Sequence, residues 1–326
     1  MASMNFEQTT PLSTRAPKTA RWAFDLFNRQ KIHPLYDKSV KNKVTGDNYV
    51  LSHDDRIGQK TNGFFKILDI PEYLMTEPKL LPKNFGLITI QQYDGFLIDL
   101  SQYKNVDDFM VQQLSKRSQK RLHKSARELN ENYAITHKVF RGHITQSEHK
   151  YLLGVFASFL KKRFKEKKTF NKYLAKWGYY EELSFKKINE GAASLFVIYN
   201  GETPICLTLN FHFEDILFSE LESYDIDYSQ YGLGDISMRY HIKWCFDHNI
   251  QLIDLAMGKT NFKEKWCNYV YYFHHHFFYN KNNLGALVQL CFEFTKFKLW
   301  QALRNMGIVG HRFRFDKLLY KLKRQT

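Results

Sequence analysis

From Gly63 onward the chain alternates short runs dense in apolar residues with longer stretches in which apolar positions recur every three or four residues. These are the periods of strands and of helices. Phe64 to Ile70 and Leu87 to Leu100 read as strands, with Pro71, Pro78 and Pro82 interrupting the chain between them. Val106 to Asn130 spaces Phe109, Met110, Leu114, Leu122 and Leu129 as a helix face and closes in an Asn-Glu-Asn turn, before a strand over Tyr133 to Phe140. Ile144 to Phe164 predicts a helix, with Thr145 and Glu148 at the spacing of a capping box, and Tyr179 to Asn189 predicts another. Ala193 to Tyr199 and Thr203 to Phe213 flank Asn200-Gly201 as a hairpin, and Glu214-Asp215 turns the chain into Ile216 to Tyr224. Next come the loop Tyr231-Gly232-Leu233-Gly234, a helix from Asp235 to His248 and a buried strand from Leu252 to Met257. A strand, helix, strand order of that kind implies a parallel crossover. Tyr269 to Tyr279 is a last strand, and two C-terminal helices follow. Residues 1–60 are polar with scattered apolar clusters such as Trp22 to Phe27, and read as a docked arm. The element order is that of a mixed, α+β chain.

With 326 residues, 44% of them hydrophobic and 25% charged, the chain is an ordinary globular one with room for about two domains, so a disordered or collagen-like polypeptide is excluded. Its formal net charge of +15 is concentrated. Ser115 to Arg127 holds Lys116, Arg117, Lys120, Arg121, Lys124 and Arg127 without an acid; Lys161 to Lys168 and Lys296 to Thr326 are the other basic stretches. Such patches suit anionic partners, namely phosphate groups, acidic lipid headgroups, nucleic acid or an acidic carrier protein, or else are solvated helix faces. Cys206, Cys245, Cys267 and Cys291 show no paired spacing and read as free thiols of a reducing compartment. No apolar run has the length of a membrane span or of a signal-peptide core, which predicts a cytoplasmic protein with at most a peripheral place at the inner membrane face. His274-His275-His276 alternate across a strand and cannot all face one ion, so no metal is expected.

Chemistry concentrates at the glycine loop. A helix entered through Gly232 and Gly234 offers free backbone N–H groups to a phosphate, although Asp235 at the helix start could cap them and repel a pyrophosphate. Glu220 and Glu222 alternate onto one strand face and are candidate bases for deprotonating an amine, each raising the pKa of the other; a plain acidic strand surface is the other reading. Tyr228 and Tyr231 are candidate acids or packing residues.

The stretch Ile216 to Trp266 resembles the GNAT superfamily of N-acyltransferases, in its CelD/BcsL-like acetyltransferase branch, related to the FemAB peptidoglycan aminoacyltransferases. Leu217-Phe218-Ser219, Tyr224-Asp225 and Tyr228-Ser229-Gln230-Tyr231-Gly232-Leu233-Gly234 carry the resemblance, as do Ile253-Asp254-Leu255-Ala256-Met257-Gly258 and Phe262-Lys263-Glu264-Lys265-Trp266. It implies a GNAT fold with a central mixed, twisted sheet, two GNAT-like halves over 61–141 (degenerate) and 142–282, and basic C-terminal helices over 283–326. It implies further that the strands Ile216 to Tyr224 and Leu252 to Met257 splay around the pantetheine arm of acyl-CoA or of an acyl-phosphopantetheine on acyl-carrier protein. Gln230, Gly232, Leu233, Gly234 and Asp235 would then hold the donor's phosphate, with Ser229 where an Arg or Gln is usual. Asp254 and Lys263 would form an ion pair or touch the acceptor. The function expected is transfer of an acyl group from a thioester to a primary amine of a lipid, amino sugar or cell-envelope precursor. Leu287, Leu290, Phe294, Phe297 and Trp300, with Lys296, Lys298 and Arg304, would let the C-terminal segment rest on an anionic membrane or simply pack on the sheet. The alternatives are a FemAB-like transferase using aminoacyl-tRNA, a nucleic-acid-binding protein acting through Ser115 to Arg127, and a non-catalytic GNAT-like module.

Overall fold

The computed structural model describes residues 19–54, 63–309, 317 and 320–322. These residues divide into two compact units assembled from separated stretches of chain: those within 1–43, 47–91 and 274–298 form one, and those within 44–46, 92–273 and 299–326 the other.

In the first unit β1 (Thr19–Arg21) pairs in parallel with β6 (Phe64–Pro71), and α1 (Trp22–Arg29) buries Trp22, Leu26 and Phe27. After β2 (Lys31–Ile32), β3 (Tyr36–Asn42) runs antiparallel to β4 (Asn48–Val50) and β7 (Leu74–Pro78), while β5 (Ser52–His53) pairs with β2. Tyr36 and Val40 on β3 have no exposed surface and are core residues of this unit.

The second unit is built on strands ordered β9, β10, β11, β12, β13, β8. It begins with the later residues of β8 (Phe85–Asp99). The basic helix expected over Val106 to Asn130 is two helices, α2 (Val106–Gln113) and α3 (Lys116–Asn132). Leu114 turns to an extended backbone and Ser115 restarts the helix by accepting the Ser118 N–H, the role for which serine competes with helix interiors. Then follow β9 (Ile135–Phe140), α4 (Gln146–Glu166), α5 (Trp177–Asn189), β10 (Ala193–Asn200) and β11 (Thr203–Phe213). Thr145 caps α4 by accepting the Glu148 N–H, but the Glu148 carboxylate reaches Lys138, so only half of the box forms. Asn200 pairs with Thr203, which makes Gly201 and Glu202 the turn, one residue later than expected. The chain continues through β12 (Ile216–Tyr224), α6 (Leu233–Asp247), β13 (Leu252–Met257), α7 (Asn261–Trp266), β14 (Tyr269–Asn280) and α8 (Leu284–Asn305). A second C-terminal helix falls largely outside the described residues.

β9, β10, β11 and β12 are antiparallel neighbours, whereas β12 and β13 are parallel and joined through α6. One apolar core combines Ile198, Cys206, Leu217 and Ile253 of the strands with Leu122 and Leu129 of α3, Leu233 and Ile242 of α6, and Trp266. No helix among the described residues is long and apolar enough to cross a membrane. Cys206, Cys245 and Cys267 are buried free thiols, and Cys291 is exposed.

Candidate active site

The site forms where β12 and β13 part. Their parallel pairing covers only Ile216, Leu217 and Phe218 against Leu252, Ile253 and Asp254, and β12 runs six residues further, to Tyr224. A β-bulge accompanies the separation: Leu209 faces Leu221 and Asn210 faces Ser219, which leaves Glu220 as the extra residue. An extra residue re-aims a side chain relative to strict alternation. Glu220 and Glu222 accordingly have different surroundings and do not share one cleft face as the alternation predicts. The Glu220 carboxylate accepts the Tyr180 hydroxyl at 3.0 Å, and its pKa is raised by burial against the opposing pull of Lys172 and Tyr180. Glu222 lies at the start of α6, where a Cβ on Gly234 would stand 3.1 Å from Oε1. Burial lifts its pKa to about 7; the Arg163 guanidinium counteracts this and Asp235 adds to it. Desolvation, and not mutual repulsion of the pair, is therefore what raises both carboxylates.

The loop before α6 is a 3₁₀ turn over Ile226–Tyr231 that contains Gln230 and ends at Gly232, whose φ of 62° makes it the residue of choice for the N-cap. No side chain caps α6. Asp235 is instead turned to Lys265 and to Trp266 Nε1, with Arg121 of α3 at 3.6 Å, so its charge is compensated and the expected self-capping is absent. Leu233 is buried in the core, and Gly234 keeps the approach to Glu222 open.

Tyr228 and Tyr231 join Tyr133 in an aromatic cluster, with ring centroids 5.1 Å and 5.9 Å from that of Tyr133. The Tyr228 hydroxyl accepts the Asn200 side-chain amide, and Tyr231 is hydrogen-bonded to Tyr133. Asp254 is wholly buried: Tyr271 donates to its two oxygens from 2.8 and 2.9 Å, and the Ala256 N–H donates to Oδ1. Ala256 has φ 58°, an uncommon conformation for a non-glycine residue, and Lys263 Nζ donates to the carbonyls of Ala256 and Met257 from 3.3 and 2.6 Å. Asp254 and Lys263 therefore brace the irregular end of β13. Burial lowers the Lys263 pKa to about 8, with Asp254 opposing. Among the described residues no group of side chains could hold a metal ion. His275 and His276 have separate partners, the Asp69 N–H and the Tyr36 hydroxyl.

Sequence reasoning missed Tyr180, Arg163, Tyr271 and Arg121. Each lies 17 or more residues from the group it serves, and no local spacing announces it.

The site thus combines, within a mixed α/β fold, a parallel strand pair that opens, a buried carboxylate and a helix start without a side-chain cap. Residues 116–264, a little under half of the chain, match the family described as Acetyltransferase (GNAT) domain. Among solved structures it is similar to FemX, with 11% identity over 70% of this chain and 74% of that one and a TM-score of 0.48. It is also similar to L-PGS from Bacillus licheniformis, with 14% identity, 63% and 66% coverage and a TM-score of 0.42. A tandem GNAT protein from the clavulanic acid biosynthesis pathway gives 8% identity, 66% and 63% coverage and a TM-score of 0.35. No curated protein matches the chain.

Proposed function

We propose that this protein transfers an acyl group from a pantetheine thioester to a primary amine, with Glu222 as the general base. The observation that carries the reading is a carboxylate with a pKa of about 7 at the point where the two parallel strands separate and α6 begins. An amine reaches the donor as an ammonium ion. A carboxylate poised near neutral pH removes its proton, the freed lone pair attacks the thioester carbonyl, and the tetrahedral intermediate collapses as its nitrogen gives up its second proton to solvent and the thiolate leaves. Glu220 is held by Tyr180 and acts as support. Tyr231, next to the N-cap Gly232 and hydrogen-bonded to Tyr133, is assigned the proton delivered to the thiolate; Tyr228, whose hydroxyl accepts the Asn200 amide and keeps its own proton, is the second candidate. The donor's phosphate fits the N–H groups of Leu233 and Gly234, with Gln230 and Arg121 near the same loop. The Glu222 carboxylate at this helix start disfavours the doubly charged pyrophosphate of free coenzyme A, so the single phosphate of a carrier-bound phosphopantetheine is the better match.

The test is thiol release and thermal shift with acetyl-CoA, palmitoyl-CoA and acyl-carrier-protein thioesters, alone and with simple amines. Carrier-bound donors are expected to stabilise the protein most. Replacement Glu222→Gln is expected to lower kcat by about 10²- to 10³-fold and to remove a rising limb near pH 7 from the rate profile. Undiminished turnover by this variant places the base elsewhere, and no response to any thioester overturns the donor assignment.

A further inference from the structure

Helix α8 has two apolar faces. Ala286 and Leu290, with the partly buried Phe294 and Phe297, pack on Phe64, Leu68, Ile90 and Phe277, so three of the five apolar residues whose spacing suggested a membrane face, Leu290, Phe294 and Phe297, turn inward. The opposite face carries Leu284, Val288 and Phe292, four residues apart and 77%, 64% and 67% exposed. Side chains at that spacing lie one above the next on a helix, so they form a continuous stripe and not scattered surface positions. Among the described residues nothing covers it.

The charge around the stripe is of one sign. Lys281 precedes the helix and Lys298 follows the stripe; both are exposed. Lys296 lays its stem along Phe292, with Nζ 5.6 Å from the ring centroid. Glu293, the one acid of the helix, is turned inward and held by Lys66 and Lys296. The sequence beyond Asn305 adds Arg312, Arg314, Lys317, Lys321, Lys323 and Arg324 against Asp316 alone.

We propose that this face of α8 docks the protein on an anionic lipid surface, with Leu284, Val288 and Phe292 entering the headgroup layer and Lys281 and Lys298 against lipid phosphates. Apolar burial and lipid charge act together on such a helix, and the lysine stems reach outward while their own methylenes stay in the apolar layer. A second copy of the chain is the poorer occupant, because it brings a like-charged flank onto this one in a molecule of net charge +15. The docking is independent of the transfer chemistry, since no residue assigned to that chemistry lies on α8.

The experiment is co-sedimentation of the full chain with vesicles of phosphatidylglycerol in phosphatidylcholine and with vesicles of phosphatidylcholine alone, at low and high salt. Binding is expected to the anionic vesicles and to weaken with salt. The triple variant Leu284→Ser, Val288→Ser, Phe292→Ser and the pair Lys281→Gln, Lys298→Gln are each expected to weaken it by about tenfold or more. The lysine pair removes no apolar side chain, so it reports on docking even where the serine variant folds poorly. Absence of binding by the wild type, equal binding by both variants, or a concentration-dependent dimer that the serine variant abolishes overturns the proposal; the last result assigns the face to a second copy.

Discussion

At the scale of single residues, two carboxylates two positions apart in the sequence have been given different tasks by their neighbours. Glu222 faces a helix start and Glu220 faces a tyrosine, although strand periodicity alone makes them equivalent. Removing the Tyr180 hydroxyl separates the two. In Tyr180→Phe, Glu220 loses a hydrogen bond that stabilises its charged form, so its pKa rises further, and the protein loses about 1–2 kcal/mol at neutral pH. The rising limb near pH 7 assigned to Glu222 stays in place. Urea denaturation alongside a pH–rate profile measures both effects, and a displaced limb would transfer the base role to Glu220. Lys263 and Asp254 illustrate a second separation. The sequence motif marks them as a pair, and the structure uses both to brace Ala256 and Met257, with the Tyr271 hydroxyl completing the arrangement.

At the scale of elements, the splayed pair depends on what lies across β8. Gly95 is opposite Met257, and the Tyr271 ring covers the glycine so closely that a Cβ there overlaps the ring. The missing side chain is what allows Tyr271 to reach Asp254. Gly95→Ala is expected to displace the ring, leave the buried carboxylate short of its donors and cost about 2–4 kcal/mol, read as a fall in the urea midpoint and in Tm. An unchanged midpoint would show that the ring adjusts freely. The β12 bulge is the other device at this scale. It inserts Glu220 of β12 opposite Leu209 and Asn210 of β11 and so re-aims Glu220 relative to Glu222.

At the scale of the molecule, buried histidines govern the response to acid. Burial holds His33, His149, His241 and His276 at a pKa of about 4 and His212 at about 3, all below the ordinary 6.5. The unfolded chain therefore takes up protons in the window below pH 6.5 that the folded chain refuses, so stability is full above 6.5 and is lost as pH falls toward 4. Glu220 and Glu222 act in the opposite sense, because their raised pKa values favour the folded state as acid protonates them. Five strongly shifted histidines outweigh two carboxylates, so Tm is expected to be lower at pH 5 than at pH 7.5. A Tm that rises on acidification would show that the carboxylates dominate.

The sequence by itself determined the order and nature of nearly every element from Phe64 to Tyr279, because hydrophobic period, turn residues and caps act over a few neighbours. It also fixed the GNAT resemblance of the stretch around Gly232 and Gly234 and placed Glu222 among the candidate bases. Tertiary structure decided the rest. The break between α2 and α3 turns on Ser115 acting as a cap, a competition between helix interior and helix start that periodicity does not rank. The place of residues 19–43 in a compact unit depends on partners such as β6 and β7, which lie far along the chain. The outward face of α8 is Leu284, Val288 and Phe292, and not the equally apolar Leu290, Phe294 and Phe297, because only packing against β6 chooses between two apolar stripes on one helix. The desolvation that carries Glu222 to a pKa of about 7 is likewise a property of assembled neighbours, since burial exists only once distant segments have come together.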